Sequence, residues 1–145
     1  MNVKITRTDK TVELPKYHTS ESAAFDFAAS QDTVIPPRTL AKVPTGLIIE
    51  APEGHFLLIT ARSSLATKKG LILSNGVGTI DRDYSGPEDE IKISVYNFTD
   101  HEVRVEKGER LAQGLFLRVE QADWNEVEKI RDQSRGGYGT TGGYK

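Results

Sequence analysis

The densest group of chemistry-bearing residues is Gly78-Thr79-Ile80-Asp81-Arg82-Asp83-Tyr84-Ser85-Gly86. Glycines at both ends, two carboxylates two residues apart and an aromatic beside them suit a hairpin whose backbone approaches a ligand while Asp81 points at it. A plain turn accounts for the Asp and Gly almost as well. It does not account for Ile80 and Tyr84, since an apolar residue and a large ring in a tight loop should be buried against something. A planar ligand is one candidate.

A second group, Arg62-Ser63-Ser64, falls where a strand gives way to a helix. Backbone amides, two hydroxyls and a guanidinium converging there favour oxyanions, although an ordinary N-cap with a surface arginine fits equally. Arg110-Leu111-Ala112-Gln113 places an arginine and a glutamine at the head of another strand. Ala24-Phe25-Asp26-Phe27-Ala28 sets Asp26 on the face opposite Phe25 and Phe27, where taken singly it reads as a structural hydrogen-bonding residue. The last eleven residues hold five of the thirteen glycines, together with Arg135 and Tyr138. They form either a frayed tail or an arm that orders over a ligand. His18, His55 and His101 are scattered without metal-ligand spacing, and neither a phosphate-binding P-loop nor a dinucleotide fingerprint is present.

The elements that must position these groups are mostly strands. Short runs rich in β-branched residues, broken about every dozen residues by Pro, Gly, Asn or Asp, have the rhythm of an all-β domain. Strands are expected over 3–7, 25–29, 40–50, 55–61, 71–73, 91–97, 102–106 and 111–119. The stretch from Ser63 to Gly70, opened by serines and closed by lysines and a glycine, predicts a helix of one or two turns. A second short helix is expected around Trp124 to Ile130.

Composition excludes several classes. A chain of 145 residues with 19 basic and 21 acidic side chains and a net charge of −2 suits a single globular domain and lacks the basic stripe of a nucleic-acid binder. No apolar run approaches the roughly 18 residues of a membrane span. The N-terminal MNVKITRTDK lacks the apolar core of a signal peptide, so a cytoplasmic protein is expected. The absence of cysteine removes thiol nucleophiles and disulfide frameworks.

Taken in order, SAAFDFAA, ARSSLATKKGL, SNGVGTIDRDYSG, GERLAQ and RGGYGTTG resemble the five motifs of the trimeric deoxyuridine triphosphatases (dUTPases), and the resemblance extends from Leu14-Pro15 to the end of the chain. It implies a jelly-roll-like β-barrel with one short helix over 1–131, a flexible glycine-rich arm over 132–145, and a homotrimer with shared active sites. The implied reaction is hydrolysis of dUTP to dUMP and diphosphate with Mg²⁺, which limits uracil in DNA and supplies the thymidylate precursor.

By the same resemblance, Asp81 is the general base for the attacking water. Asn75 and the backbone of Gly78, Thr79 and Ile80 read uracil, Tyr84 packs on the deoxyribose, and Lys92 lies nearby. Arg62, Ser63, Ser64, Gln113 and Arg135 hold phosphates, while Tyr138, Gly139 and Thr140 complete the closing arm. Asp26 is expected near the water shell of a Mg²⁺ carried mainly by the substrate phosphates, with neither nucleic acid nor membrane as a direct partner.

Ala24, Ser64 and Val77 depart from the family pattern by small changes. Gly86-Pro87-Glu88-Asp89-Glu90-Ile91 carries roughly three extra residues after the hairpin, and this acidic bulge is expected at the rim, leaving the chemistry intact. A related dCTP deaminase would need a glutamate where Ser94 stands. A binding module that uses nucleotide only as a switch would not need Asp81 or the arm, and a coat-type jelly roll would not need the five motifs.

Overall fold

Alternation of apolar and polar residues builds the strands. In the computed structural model, which describes residues 1–137, the order is β1 (Lys4–Arg7), β2 (Phe25–Ala28), β3 (Thr33–Ile35), β4 (Leu40–Pro44), β5 (Leu47–Glu50), β6 (His55–Ala61), a helical turn (Leu65–Lys69), β7 (Leu71–Leu73), β8 (Gly78–Ile80), β9 (Lys92–Asn97), β10 (Val103–Val105) and β11 (Arg110–Arg118). They pair in antiparallel ladders: β1 with β5, β3 with β10, the sheet β2-β11-β6-β8 and the sheet β4-β9-β7. Neighbours such as β2 and β11, or β4 and β9, are distant in sequence. This is the jelly-roll-like, nearly all-β architecture that the resemblance implied.

Inward residues alternate with outward ones. Phe25 and Phe27 of β2, Leu57 and Ile59 of β6, Val43 of β4, Leu71 and Leu73 of β7, and Ile93 and Val95 of β9 meet in one buried cluster. Burying each large side chain contributes about 1.5–3 kcal/mol. Phe25 is further fixed by ring contacts with Tyr17, Phe27 and Phe116. Because these rings face inward, Asp26 between them must face outward.

Several expected elements differ. The single strand over 40–50 is broken at Thr45 and Gly46, so that β4 and β5 join different ladders. Thr45 is fully buried and its hydroxyl donates to the Ile91 carbonyl at 2.6 Å. Gly46 then turns the chain with φ of 69°, a conformation that favours glycine. β3 was not expected, since three residues with one buried side chain carry too little alternation to see. Gly78–Ile80, expected within a hairpin loop, is itself strand β8.

The helix over 63–70 shortens to the one turn Leu65–Lys69, wound as a π-turn and closed by Gly70 with φ of 69°. Ser64 contributes its carbonyl to the Lys68 amide at 2.9 Å but no side-chain cap. The helix expected around Trp124 to Ile130 does not form. Trp124 is 94% and Ile130 89% exposed, so the described residues offer them no surface against which a short amphipathic helix could be stabilised.

Candidate active site

Asp26, Gln113 and Thr60 stand abreast on the outer face of the four-stranded sheet, Asp26 opposite Gln113 and Gln113 opposite Thr60. A register shift in β11 between Arg110 and Ala112 frees Arg110 from strict alternation. The Asp26 carboxylate then collects three groups. Oδ1 lies 3.2 Å from Arg62 Nε, while Oδ2 accepts from Arg110 Nη1 at 3.1 Å and lies 2.9 Å from His18 Nε2. The side chain of Asp26 is only 13% exposed.

One carboxylate facing two permanent guanidiniums leaves the cluster positive. Each arginine has five N–H donors and spends only some of them here; Arg62 also donates to the Arg110 carbonyl at 3.4 Å. Ser63, exposed, and Ser64, half-buried, follow directly. Arg62, Ser63, Ser64 and Gln113 therefore converge at one end of the sheet, where an oxyanion would meet charge-assisted donors.

Arg110 and His18 belong to this cluster although the sequence assigned them no role. Arg110 stood out in the sequence by its place at the head of an apolar strand, three residues before Gln113, but without a partner. His18 had no such signal, because the loop before β2 returns it to Asp26. Its Nε2 is 2.7 Å from Arg110 Nη1 as well as 2.9 Å from Asp26, so the ring either accepts from the one or donates to the other.

The hairpin group is assembled elsewhere. After β7 the chain crosses from the three-stranded to the four-stranded sheet through Ser74, Asn75, Gly76 and Val77. The Val77 amide donates to the Asn75 carbonyl at 2.8 Å, and Gly76 adopts φ of 70°. Gly78 is buried against β6, where an added Cβ would lie 3.2 Å from that of Ile59. Ile80 packs onto the core, and Asp81 follows, exposed. The Tyr84 amide donates to the Asp81 carbonyl at 3.2 Å, which places both residues on one turn. Contrary to the expectation of burial, Tyr84 is 42% exposed; its ring is presented outward.

These two groups do not meet within one chain. Ile80 is opposite Leu57 on one side of β6, and Gln113 is opposite Thr60 on the other. Asp81 is thus about four residues, roughly 13 Å, from the Gln113 row along β6, and about 10 Å from it across two strand spacings. Lys92 begins β9 in the other sheet, exposed, beside Pro44. Arg135 is exposed in the stretch beyond β11. Tyr138, Gly139 and Thr140 lie outside the described residues.

The donor set bears on the metal. Among the described residues no three His, Asp or Glu side chains converge on a point that could hold an ion, and both oxygens of Asp26 are engaged by cations. The described residues therefore do not form an all-protein cage for an ion.

Comparison with known proteins follows the same pattern. The family described as dUTPase matches residues 10–142. The deoxyuridine 5'-triphosphate nucleotidohydrolase of Nautilia profundicola is 38% identical over 144 residues, covering 98% of this chain and 99% of the relative. That of Brucella melitensis biotype 2 is 41% identical over 139 residues, covering 92% and 87%. The crystal structure of dUTPase from Streptococcus mutans superimposes with a TM-score of 0.77 at 35% identity, over 86% of this chain and 100% of that one. The Staphylococcus bacteriophage 80alpha dUTPase with dUPNHPP shares the fold, with a TM-score of 0.84 at 22% identity over 97% and 98%. With the fold, the ordered motifs and the full-length likeness in agreement, the chain belongs to the dUTPase family.

Proposed function

We propose that this protein hydrolyses dUTP to dUMP and diphosphate, and that its site is completed between copies of the chain. The observation that carries the reading is the pairing of an outward Asp81–Tyr84 turn with a positive Arg62–Gln113 end on one sheet, in a chain aligned end to end with dUTP nucleotidohydrolases. Asp81 takes the proton of the attacking water, the role for which an exposed carboxylate on a firm turn is suited. Tyr84 stacks its outward ring on the deoxyribose and leaves no room for a 2′-hydroxyl. Asn75 and the amides from Gly78 to Ile80 read the uracil edge, with Lys92 at the margin.

At the other end Arg62, Ser63, Ser64 and Gln113 hold the phosphate chain. Asp26 orients Arg62 and Arg110, so their N–H groups are in place before substrate arrives. A Mg²⁺ carried by the substrate would supply charge neutralisation, and Asp26 would be the residue to contact it through water. The gap between Asp81 and the Gln113 row is too wide for a water to reach a phosphorus held by the same chain. A homotrimer that sets one subunit's Asp81 beside another's Arg62 removes the gap. Within it, the single domain 1–131 forms the barrel, and Arg135, Tyr138, Gly139 and Thr140 of the arm 132–145 close over γ-phosphate and base. A cytoplasmic setting suits an enzyme of DNA-precursor nucleotides.

The deaminase alternative lacks its acid/base group, since Ser94 stands where it would need a glutamate; the Ser94 hydroxyl lies 2.6 Å from that of Ser74. The test is pyrophosphate release from dUTP, with UTP, dCTP and dTTP alongside, for wild type and Asp81→Asn. Selective dUTP turnover that falls at least about 100-fold in the variant supports the reading. Equal turnover of UTP would remove Tyr84 from the sugar, and an unchanged Asp81→Asn would remove the base.

A further inference from the structure

The segment 82–90 joins the hairpin to β9 and includes the acidic insertion. Its outermost residues, Pro87 and Glu88, are exposed, whereas Asp89 and Glu90 are half-buried. Both ends of the segment are tied to the same strand. At the first end Arg82 Nη2 lies 3.2 Å from Glu50 Oε1, at the end of β5. At the second end Glu90 Oε1 accepts from the Gly46 amide at 2.7 Å, at the start of β5. Ile91 continues the second tie, donating its amide to the Leu47 carbonyl at 2.9 Å and accepting from the Thr45 amide and hydroxyl.

We propose that Glu50 and Glu90 are positioning residues for the reaction. Through Arg82 and the Gly46 amide they clamp the hairpin segment along β5 and so hold Asp81 and Tyr84 in register with the substrate. The proposal rests on the assignment of Asp81 as base and Tyr84 as sugar-packing residue.

The physical case has three parts. First, a loop lengthened by extra residues samples more conformations unless it is tied down, and this one is tied internally as well. The Gly86 amide donates to Asp89 Oδ2 at 2.7 Å, and the Asp89 amide returns to the Gly86 carbonyl at 3.1 Å. Second, the anchors lie next to the functional residues: Arg82 follows Asp81 directly, and the Glu90 carbonyl receives the Tyr84 hydroxyl in a long contact of 3.5 Å. Third, Glu50 ends β5, whose backbone is laddered to β1, and its other carboxylate oxygen lies 2.8 Å from Lys4 Nζ, so Arg82 meets a side chain carried on a paired strand. A half-exposed ion pair of this kind adds little to global stability. Its loss should therefore register in turnover more than in unfolding, because small misplacements of a reacting group are costly in rate.

The experiment measures dUTP turnover, dUPNHPP affinity and thermal midpoint for Arg82→Ala, Arg82→Lys, Glu90→Ala, Glu90→Gln and Glu50→Ala/Arg82→Ala, with wild type and Asp81→Asn alongside. Arg82→Ala and Glu90→Ala should lose about tenfold in kcat, with analogue affinity held within about twofold. Glu90→Gln, whose amide oxygen still accepts from Gly46, should keep wild-type turnover, and Arg82→Lys should recover most of it. The double variant should fall no further than Arg82→Ala alone, as expected of two ends of one contact. If Glu90→Ala fails to fold, the Arg82 series decides. Wild-type kcat in Arg82→Ala, with Asp81→Asn inactive, overturns the clamp and leaves the function standing. Full activity in Asp81→Asn overturns the assignment of the base and the clamp with it.

Discussion

Asp26 and Gln113 face each other across the β2–β11 ladder, and the Asp26 carboxylate carries Arg62 at 3.2 Å and Arg110 at 3.1 Å. The end proposed to hold phosphate is thus organised by a single outward aspartate on a strand whose neighbouring phenylalanines belong to the core. The Asp81 turn sits beyond the far edge of the same sheet, out of reach of that cluster. Much of what can be tested follows from that separation.

If each site takes Asp81 from one subunit and Gln113 from another, two inactive variants complement each other. Asp81→Asn and Gln113→Ala chains, unfolded together and refolded in equal amounts, should regain activity at about a quarter of the wild-type sites, because each position is intact with even odds. Pyrophosphate release from the mixture, compared with each variant refolded alone, reads the result. No recovery from a properly mixed oligomer would place the whole site in one chain.

Truncation after Ser134 removes Arg135 and the glycine-rich end. Far-UV circular dichroism and the thermal midpoint should match those of the full chain, since among the described residues the buried cluster, with Phe116 packed against it, lies wholly before Arg135. kcat/KM for dUTP should fall about 100-fold or more, the scale on which loss of a preorganised charge clamp is felt. A truncated enzyme with full activity would return the segment to the status of a tail.

Gly114 lies opposite Phe25 on β2 and Ile59 on β6, next to Gln113. A Cβ there would lie 2.6 Å from Phe27 Cε2 and 2.9 Å from Phe25 Cε2. Both rings are core residues that cannot move aside freely, so Gly114→Ala should destabilise by about 1–3 kcal/mol. The midpoint of urea unfolding, with an unchanged slope, checks this.

Asp32 ties the turn before β11 to the barrel. Its carboxylate accepts from the Lys107 amide at 2.9 Å and from Arg104 Nη2 at 2.6 Å. These contacts, the Lys107 amide foremost and Arg104 next, hold its pKa below the ordinary value of 3.8. For a carboxylate with a lowered folded pKa, the stabilisation is complete above the ordinary value and is lost as pH falls through the lowered one. Between roughly pH 5 and pH 7 this group's contribution should therefore be present in full and independent of pH, and it should be lost in stronger acid. In a carboxyl NMR titration the Asp32 midpoint should lie below 3.8. Arg104→Ala should move it only part of the way back, because the amide remains.

The sequence alone determined the chemistry-bearing residues and most of the strands that carry them. Alternation marked β2, β6, β9 and β11, and the Asp-Tyr turn between glycines announced itself by residues too large and apolar for a plain loop. These signals are local, so a single chain of letters carries them. The break of the 40–50 run at Thr45-Gly46 was not legible, because it follows from a buried threonine bonding to Ile91, forty-six residues away. Nor was the helix around Trp124 excluded by its letters. It fails because nothing among the described residues covers Trp124 or Ile130.

Only the tertiary structure decided the contacts of Arg110 and His18, which join Asp26 through strand register and a returning loop, and those of Glu50 with Arg82 and Glu90 with Gly46. It also decided that Asp81 and Gln113 stand on opposite sides of β6. Spacing along the chain says which groups are present; pairing between strands distant in sequence sets which of them can act on one atom.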